Sequence, residues 1–121
     1  MEFHYVDLRA FCYATEDEDR VEAALRHYLP EDYPIERETN EGHHGDEIVV
    51  VSARVDNADD VRTVMDRVLE AGERERIIKE IEDRVDDDCS FHLRLDKQAA
   101  YYGESALGDG LHLRAKVEAY P

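Results

Sequence analysis

The sequence has few cysteines for disulfides or metal sites, and it has no long apolar run for a membrane span. It has two cysteines, Cys12 and Cys89, which lie far apart and match no metal-binding or redox spacing. The longest apolar run, Ile48 to Val51, is far shorter than the roughly 18 residues that cross a membrane. The first residues lack the basic and apolar stretches of a signal peptide. We therefore expect a cytoplasmic protein that does not bind membranes.

Lysine is also scarce, and negative charge dominates the composition. The chain has 31 acidic and 15 basic residues, a net charge of -16, and its only lysines are Lys79, Lys97 and Lys116. High charge prevents association, and concentrated salt screens the self-repulsion that would otherwise loosen the fold. The composition therefore predicts an extremely halophilic source. The alternative, an acidic protein that binds basic partners, is less favoured because the acids are spread along the chain.

What the sequence does contain is enough apolar side chain for one folded domain. Of its 121 residues, 42% are apolar, and it has no repeats, low-complexity segments or interdomain linker. A chain of this length can bury a core without disulfides or metals. We therefore expect a single α+β domain that spans residues 1–121.

Hydrophobic periodicity predicts five strands and three helices in the order β-α-β-β-α-α-β-β. Thr15 and Glu18 form a capping box that starts the first helix, and Pro30 ends it. Asn57 caps the second helix, and Gly72 separates it from the third. A loop is expected over residues 40–46. The strands are expected over residues 3–13, 33–39, 47–55, 90–96 and 111–119.

Alternating strand patterns predict a mainly antiparallel sheet with helices on one face, a two-layer sandwich with the third strand at its centre. The opposite face would then be open. Alternation places five basic residues and the rings of Tyr5 and Phe11 on that face. The basic residues are Arg9, Arg54, Arg94, Arg114 and Lys116.

The charge of the last two strands singles out this open face. From Ser90 to Val117 there are four basic and three acidic residues, a net charge of +1, although the whole chain carries -16. Such a region attracts a polyanion, because Arg and Lys bind phosphates and exposed aromatic rings stack on unpaired bases. The alternative is ordinary solvated strand residues that pair with acids across the sheet.

Catalytic and metal-binding motifs are not apparent, so we expect neither an enzyme nor a cofactor. His43, His44 and Asp46 lack a third or fourth ligand at a recognisable spacing. Neither the serines nor Cys12 stands in a motif with a base, and no glycine-rich phosphate loop is present. The enzymatic alternative is a phosphodiesterase that uses His92 or His112.

Three segments resemble an archaeal family of small RNA-binding proteins that are described as linked to the RNA-degrading exosome. They are SFHLRLDKQAAYYG from Ser90, the closing strand from Leu111, and HYVDLRAFCYATEDED from His4. The resemblance covers essentially the whole chain, and Leu95 to Tyr101 is its most specific part. It implies a two-layer fold like that of the large-subunit ribosomal protein that binds 5S rRNA. It also implies RNA as a partner and an association with exosome subunits.

The matching segments carry over five RNA-binding candidates and no catalytic residue. They are Arg94, Lys97, Gln98, Arg114 and Lys116. We expect Lys97 and Gln98 at the rim of the site. Because Lys97 is in phase with the apolar residues of its strand, it must lie where the strand has ended or be paired with an acid.

The acidity of the chain departs from the family pattern, and it would oppose RNA binding unless the acids lie on the helical face. In molar salt, counterion release adds little, so shape, stacking and 2′-hydroxyl contacts favour structured or double-stranded RNA. The runner-up is a protein–protein module, in which the open face binds a second copy or an exosome subunit through Tyr5, Phe11, Ile48 and Val50.

Overall fold

The computed structural model describes residues 3–41, 45, 47–70, 74–83 and 89–117, with the side chains of residues 81 and 82 excepted. Its five strands are β1 (Phe3–Cys12), β2 (Glu36–Glu41), β3 (Glu47–Val55), β4 (Ser90–Asp96) and β5 (Gly110–Val117). Its helices are α1 (Glu18–Arg26), α2 (Ala58–Leu69), α3 (Arg74–Asp83) and α4 (Lys97–Tyr101).

The strands form one antiparallel sheet in the order β2-β3-β1-β5-β4. The central strand is β1, so the expectation that the third strand is central was wrong. β3 lies between β1 and the short edge strand β2. The predicted α+β class and two-layer arrangement are confirmed.

The core lies between the sheet and the helices, on the side that alternation predicted. Val6, Leu8 and Ala10 of β1 are fully buried, whereas Arg9 between them is exposed. The same alternation runs through β3, β4 and β5, and the buried stripes of α1 and α2 join this single cluster. Among the described residues, no helix is both long and apolar enough to span a membrane.

The first helix starts later and ends earlier than the sequence pattern predicted. Its cap is Asp17, whose side chain accepts a hydrogen bond from the Asp19 amide at 2.9 Å, and not Thr15. Because the helix begins at Glu18, the capping position falls on Asp17, while the Glu16 carboxylate accepts a hydrogen bond from the Tyr13 amide. After Arg26 the chain continues in tight turns. Leu29 is therefore buried outside the helix, although it follows the helical spacing.

Two further elements differ from the sequence prediction. β2 begins at Glu36 and continues to Glu41, because Asn40 and Glu41 pair with β3 instead of lying in the loop. The short helix α4 was not predicted. Asp96 ends β4 and caps α4 by accepting a hydrogen bond from the Ala99 amide at 2.9 Å, so the strand-to-helix change needs no connecting loop.

The predicted cap of α2 is confirmed, and it provides a stability test. The Asn57 side chain accepts hydrogen bonds from the Asp59 and Asp60 amides at 2.9 and 3.4 Å. Asn57→Ala leaves these amides without that partner, so we expect the free energy of unfolding to fall by about 1 kcal/mol in denaturant titrations. The matched variant Asn57→Ser keeps a capping oxygen and should lose much less. Equal losses for both variants would contradict a capping role.

Candidate nucleic-acid interface

The strand register assembles the open face into two rows of side chains across four neighbouring strands. The first row runs Ser52, Arg9, His112, Arg94, and the second runs Arg54, Asp7, Arg114, His92. We call these eight residues the basic patch. It contains four guanidinium groups and two imidazoles against one carboxylate, which makes it a surface for anionic ligands.

Lys116 extends the basic patch along β5. It lies opposite Tyr5 on one neighbouring strand and Ser90 on the other. Ser90 is fully buried, and its hydroxyl accepts a hydrogen bond from Nε of Arg114 at 3.3 Å. This hydrogen bond holds the Arg114 guanidinium against the sheet.

Two histidines stack at the middle of the basic patch. The rings of His92 and His112 are 5.1 Å apart, and Nδ1 of His92 lies 3.0 Å from Nε2 of His112. The guanidinium of Arg9 lies 3.3 Å from Nδ1 of His112 and can only donate, so this nitrogen accepts. The His112 proton is therefore assigned to Nε2, which donates to His92. These hydrogen bonds form a network that links β1, β5 and β4.

The pKa of His112 is lowered, first by burial and then by the basic groups around it, His92 among them. The charged groups are Arg94 on β4, Arg9 on β1 and Arg114 on β5 itself. Both effects favour the neutral ring in the free protein. An anion on the patch would offset those charges and favour the imidazolium form.

This arrangement predicts a pH dependence with opposite signs for stability and for the binding of an anion. Because the folded state lowers the pKa of His112, its contribution to stability is present above about pH 6.5 and is lost as the pH falls. Bound phosphate favours protonation, so the affinity for a ligand that carries phosphates should rise by up to about tenfold per pH unit as the pH falls below about 6.5. Titrations at constant salt measure both effects.

The control for this pH dependence is His112→Gln, which retains hydrogen-bonding groups but does not titrate. It should flatten the affinity profile between about pH 7.5 and about pH 5.5. A wild-type profile that is flat, or one that persists unchanged in His112→Gln, would contradict the assignment.

Arg54 is on the same face as the other predicted residues, but its guanidinium is already engaged. It donates two hydrogen bonds to Asp7, at 2.7 and 2.9 Å, and lies 4.1 Å from the ring centre of Tyr5. The hydrogen bond to Asp7 raises the pKa of Arg54. Arg54 thus neutralises the one carboxylate of the basic patch and packs against the ring of Tyr5.

Lys97 lies at the rim, as the first residue of α4, where β4 has ended. Its ammonium contacts the Glu16 carboxylate at 2.6 Å and donates to the Phe11 carbonyl oxygen at 3.1 Å. Burial alone would raise the pKa of Glu16, but the hydrogen bond from Lys97 lowers it. Both conditions derived from the sequence are met, since the strand has ended and Lys97 is paired with an acid. Gln98, next to it, is exposed.

The acids of the described residues lie mainly away from the basic patch. On the open face they include Glu36 and Glu38 of β2, at the sheet edge opposite β4. An exception is Asp109, whose exposed carboxylate lies 3.6 Å from the Arg94 guanidinium. On the other side, α1, α2 and α3 each contain more acidic than basic residues, and Arg37 of β2 pairs with acids of α1. The open face is therefore electrostatically divided, basic over β1, β5 and β4 and acidic along β2.

The strand pattern predicted the five basic residues on one face, and the structure brings them together there. It did not predict that His92 and His112, which face the same way, form a hydrogen-bonded pair. The signal was present, because FHLRL and LHLRA have histidine and arginine at matching positions. The segment with His43 and His44 lies outside the described residues. Among those described, no group of three histidine, cysteine or acidic side chains is arranged to hold a metal.

These features define an α+β domain with an open, basic sheet face. Residues 5–117 match the model of a family described as RNA binding, and the chain belongs to that family. The RNA-binding protein PAB1135 of Pyrococcus abyssi is 33% identical over 132 residues, which cover 100% of this chain and 86% of that protein. The uncharacterized protein MJ0213 of Methanocaldococcus jannaschii is 29% identical over 116 residues, which cover 87% of this chain and 76% of that protein.

Solved structures share the whole fold. Mth689, a DUF54 protein from Methanothermobacter thermautotrophicus, is 40% identical, with a TM-score of 0.80 over 100% of this chain and 89% of that chain. The relatives named here are archaeal, which agrees with the archaeal family indicated by the sequence.

Proposed function

We propose that this protein is a non-catalytic RNA-binding protein that holds structured RNA on the basic patch. The observation that carries the proposal is the pair of cross-strand rows, in which Arg9 and Arg94 flank His112 and Arg114 lies in the adjacent row. Membership of a family described as RNA binding supports the ligand class. Strands lie about 4.8 Å apart, so the patch is wide enough to contact more than one phosphate.

Each predicted residue has a distinct role in this proposal. Arg94, Arg114 and Lys116 contact phosphate or ribose oxygens, and Arg9 does so together with the stacked histidines. Arg54 and Lys97 are engaged by Asp7 and Glu16, so they act mainly by positioning their neighbours. Gln98, at the exposed rim, donates or accepts at the edge of the bound RNA. Tyr5 and Phe11 supply ring surface along the same face.

Structured RNA is favoured over a sequence-specific single strand. The sheet offers cations at a regular cross-strand spacing, which suits the regular backbone of a duplex. In molar salt, the release of counterions drives binding weakly, so contacts to 2′-hydroxyls and shape must contribute. Such contacts discriminate RNA from DNA.

The experiment is a titration of the wild-type protein in molar KCl with an RNA hairpin, its DNA counterpart and an unstructured RNA. We expect the RNA hairpin to bind most tightly. Absence of RNA binding, or equal affinity for the DNA hairpin, would overturn the proposal. Gel analysis of the same RNA after incubation with divalent metals tests the non-catalytic role, since cleavage lost in a variant lacking His92 or His112 would make the protein an enzyme.

The composition supports a halophilic, cytoplasmic setting for this function. A net charge of -16 on 121 residues favours a fold that concentrated salt stabilises by screening. We expect the thermal unfolding midpoint to rise steadily from dilute buffer to molar KCl. A midpoint that falls or stays constant would exclude the halophilic assignment.

We also propose that the protein associates with exosome subunits. The support for this partner is the family resemblance of the segments around Leu95–Tyr101. The second candidate function is a protein–protein module on the same face, favoured by Phe11, which is 38% exposed, and by the partly exposed Ile48 and Val50. Light scattering in high salt separates the two. A dimer that buries Arg94 and Arg114, and that RNA does not dissociate, would favour the protein–protein module.

A further inference from the structure

The exposed aromatic side chains are concentrated at one end of the molecule. Among the described residues, the large aromatic side chains that are exposed are Phe11, Tyr13, Tyr101 and Tyr102. Phe11 and Tyr13 line an open cleft of about 720 Å³ at the β1–β5–β4 end of the sheet face. Tyr101 and Tyr102 line a second cleft of about 410 Å³ between α4 and the start of α1. We call these the sheet cleft and the rim cleft.

The two clefts are neighbours, because Lys97 and Gln98 line both of them. The sheet cleft also includes Arg9, Arg94 and His112 of the basic patch. An RNA strand that left the basic patch through the sheet cleft would pass over Lys97 and Gln98 and enter the rim cleft.

The rim cleft offers ring surface for stacking. The Arg20 guanidinium lies 5.2 Å from the ring centre of Tyr101, and the rings of Tyr101 and Tyr102 are 5.0 Å apart at 64°. Tyr102 is 76% exposed, although burying a ring is normally favourable. Exposed rings beside an arginine are the usual components of sites that stack unpaired bases.

The electrostatics of the rim cleft favour a base over a phosphate. Its acids, Glu16 and Asp17, are balanced by Lys97 and Arg20, so it lacks the positive excess of the basic patch. Glu16 is held by Lys97, and the Asp17 side chain caps α1. A phosphate would gain little there, whereas a neutral base can stack on the tyrosines.

We infer that the rim cleft binds unpaired nucleotides which extend from a structured RNA held on the basic patch. This inference rests on the proposed function and narrows its substrate class. The ligand is an RNA with a duplex part and a single-stranded extension. Duplex contacts go to Arg94, Arg114 and Lys116, and the extension stacks on Tyr101 and Tyr102.

The test compares a blunt RNA hairpin with the same hairpin carrying a short single-stranded extension at either end, in molar KCl. The wild-type protein should bind one of the extended hairpins roughly tenfold more tightly for each base that stacks. Tyr101→Ala/Tyr102→Ala should remove this gain and leave the affinity for the blunt hairpin unchanged. The control Tyr101→Phe/Tyr102→Phe keeps both rings and should keep the gain.

The outcomes separate the rim cleft from the basic patch. Equal affinity of the wild-type protein for blunt and extended hairpins would overturn the inference while leaving the basic patch intact. A gain that survives in the alanine variant, or is lost in the phenylalanine variant, would overturn it as well. Binding of the extended hairpin alone, with dependence on the tyrosine rings, would support the rim cleft and refute the duplex contacts of the basic patch.

Discussion

Binding of a structured RNA should fall by about a thousandfold or more when Arg94, Arg114 and Lys116 are replaced together by alanine. Hydrogen bonds to charged groups contribute about 1.5–3 kcal/mol each, and three are removed at once. The three residues lie on β4 and β5, facing away from the core. The loss should therefore occur without unfolding, which circular dichroism in the same KCl concentration checks.

The matched control removes the same charge from the helical side. Arg62→Ala/Arg76→Ala/Lys79→Ala changes three exposed residues of α2 and α3. Both triple variants make the net charge more negative by three. If general electrostatics governed binding, they would lose affinity equally, whereas a site on the open face requires the control to bind nearly as well as the wild type.

Leu113→Ala should have the largest effect on stability, lowering the free energy of unfolding by about 2–5 kcal/mol. Leu113 is fully buried on β5 and pairs with Leu8 of β1 and Leu93 of β4. Truncating it leaves a cavity between the sheet and the helices. The variant that remains folded in high salt should bind RNA with nearly unchanged affinity, because Leu113 faces away from the basic patch.

The next residue provides the contrasting variant. Arg114→Ala should weaken RNA binding and change stability much less than Leu113→Ala does, because Arg114 points to the opposite face. A shift of one residue in strand register would exchange these two outcomes. Denaturant titration and RNA titration of both variants therefore test the strand phase directly. Similar effects of both changes on RNA binding would contradict the assignment of faces.

The strand phases could be predicted from the sequence because apolar and polar residues alternate in β4 and β5 and from Val6 to Ala10 of β1. The buried Leu8 beside the exposed Arg9 is an example. The helix α4 could not be found by periodicity, since five residues make little more than one turn. The residue types did indicate it, because Asp96 is a good capping residue and Ala99 and Ala100 favour a helix. The cap of α1 was misplaced because Thr15 and Asp17 are both good capping residues.

The arrangement within the site depends on strand order, which the sequence pattern does not provide. Arg54 and Asp7 are 47 residues apart and meet only because β3 pairs with β1. Similarly, Arg9 reaches His112 because β5 lies on the other side of β1. The sequence therefore predicted which residues share a face, but not which guanidinium groups are engaged and which are positioned for a ligand.

The most direct test of the open face as the RNA site is photo-crosslinking of a structured RNA to the wild-type protein in molar KCl, followed by mass spectrometry. A site on the basic patch predicts crosslinks in the peptides of β1, β4 and β5, centred on Arg9, His92 and His112. Crosslinks confined to α1, α2 and α3, with none on those strands, would contradict it.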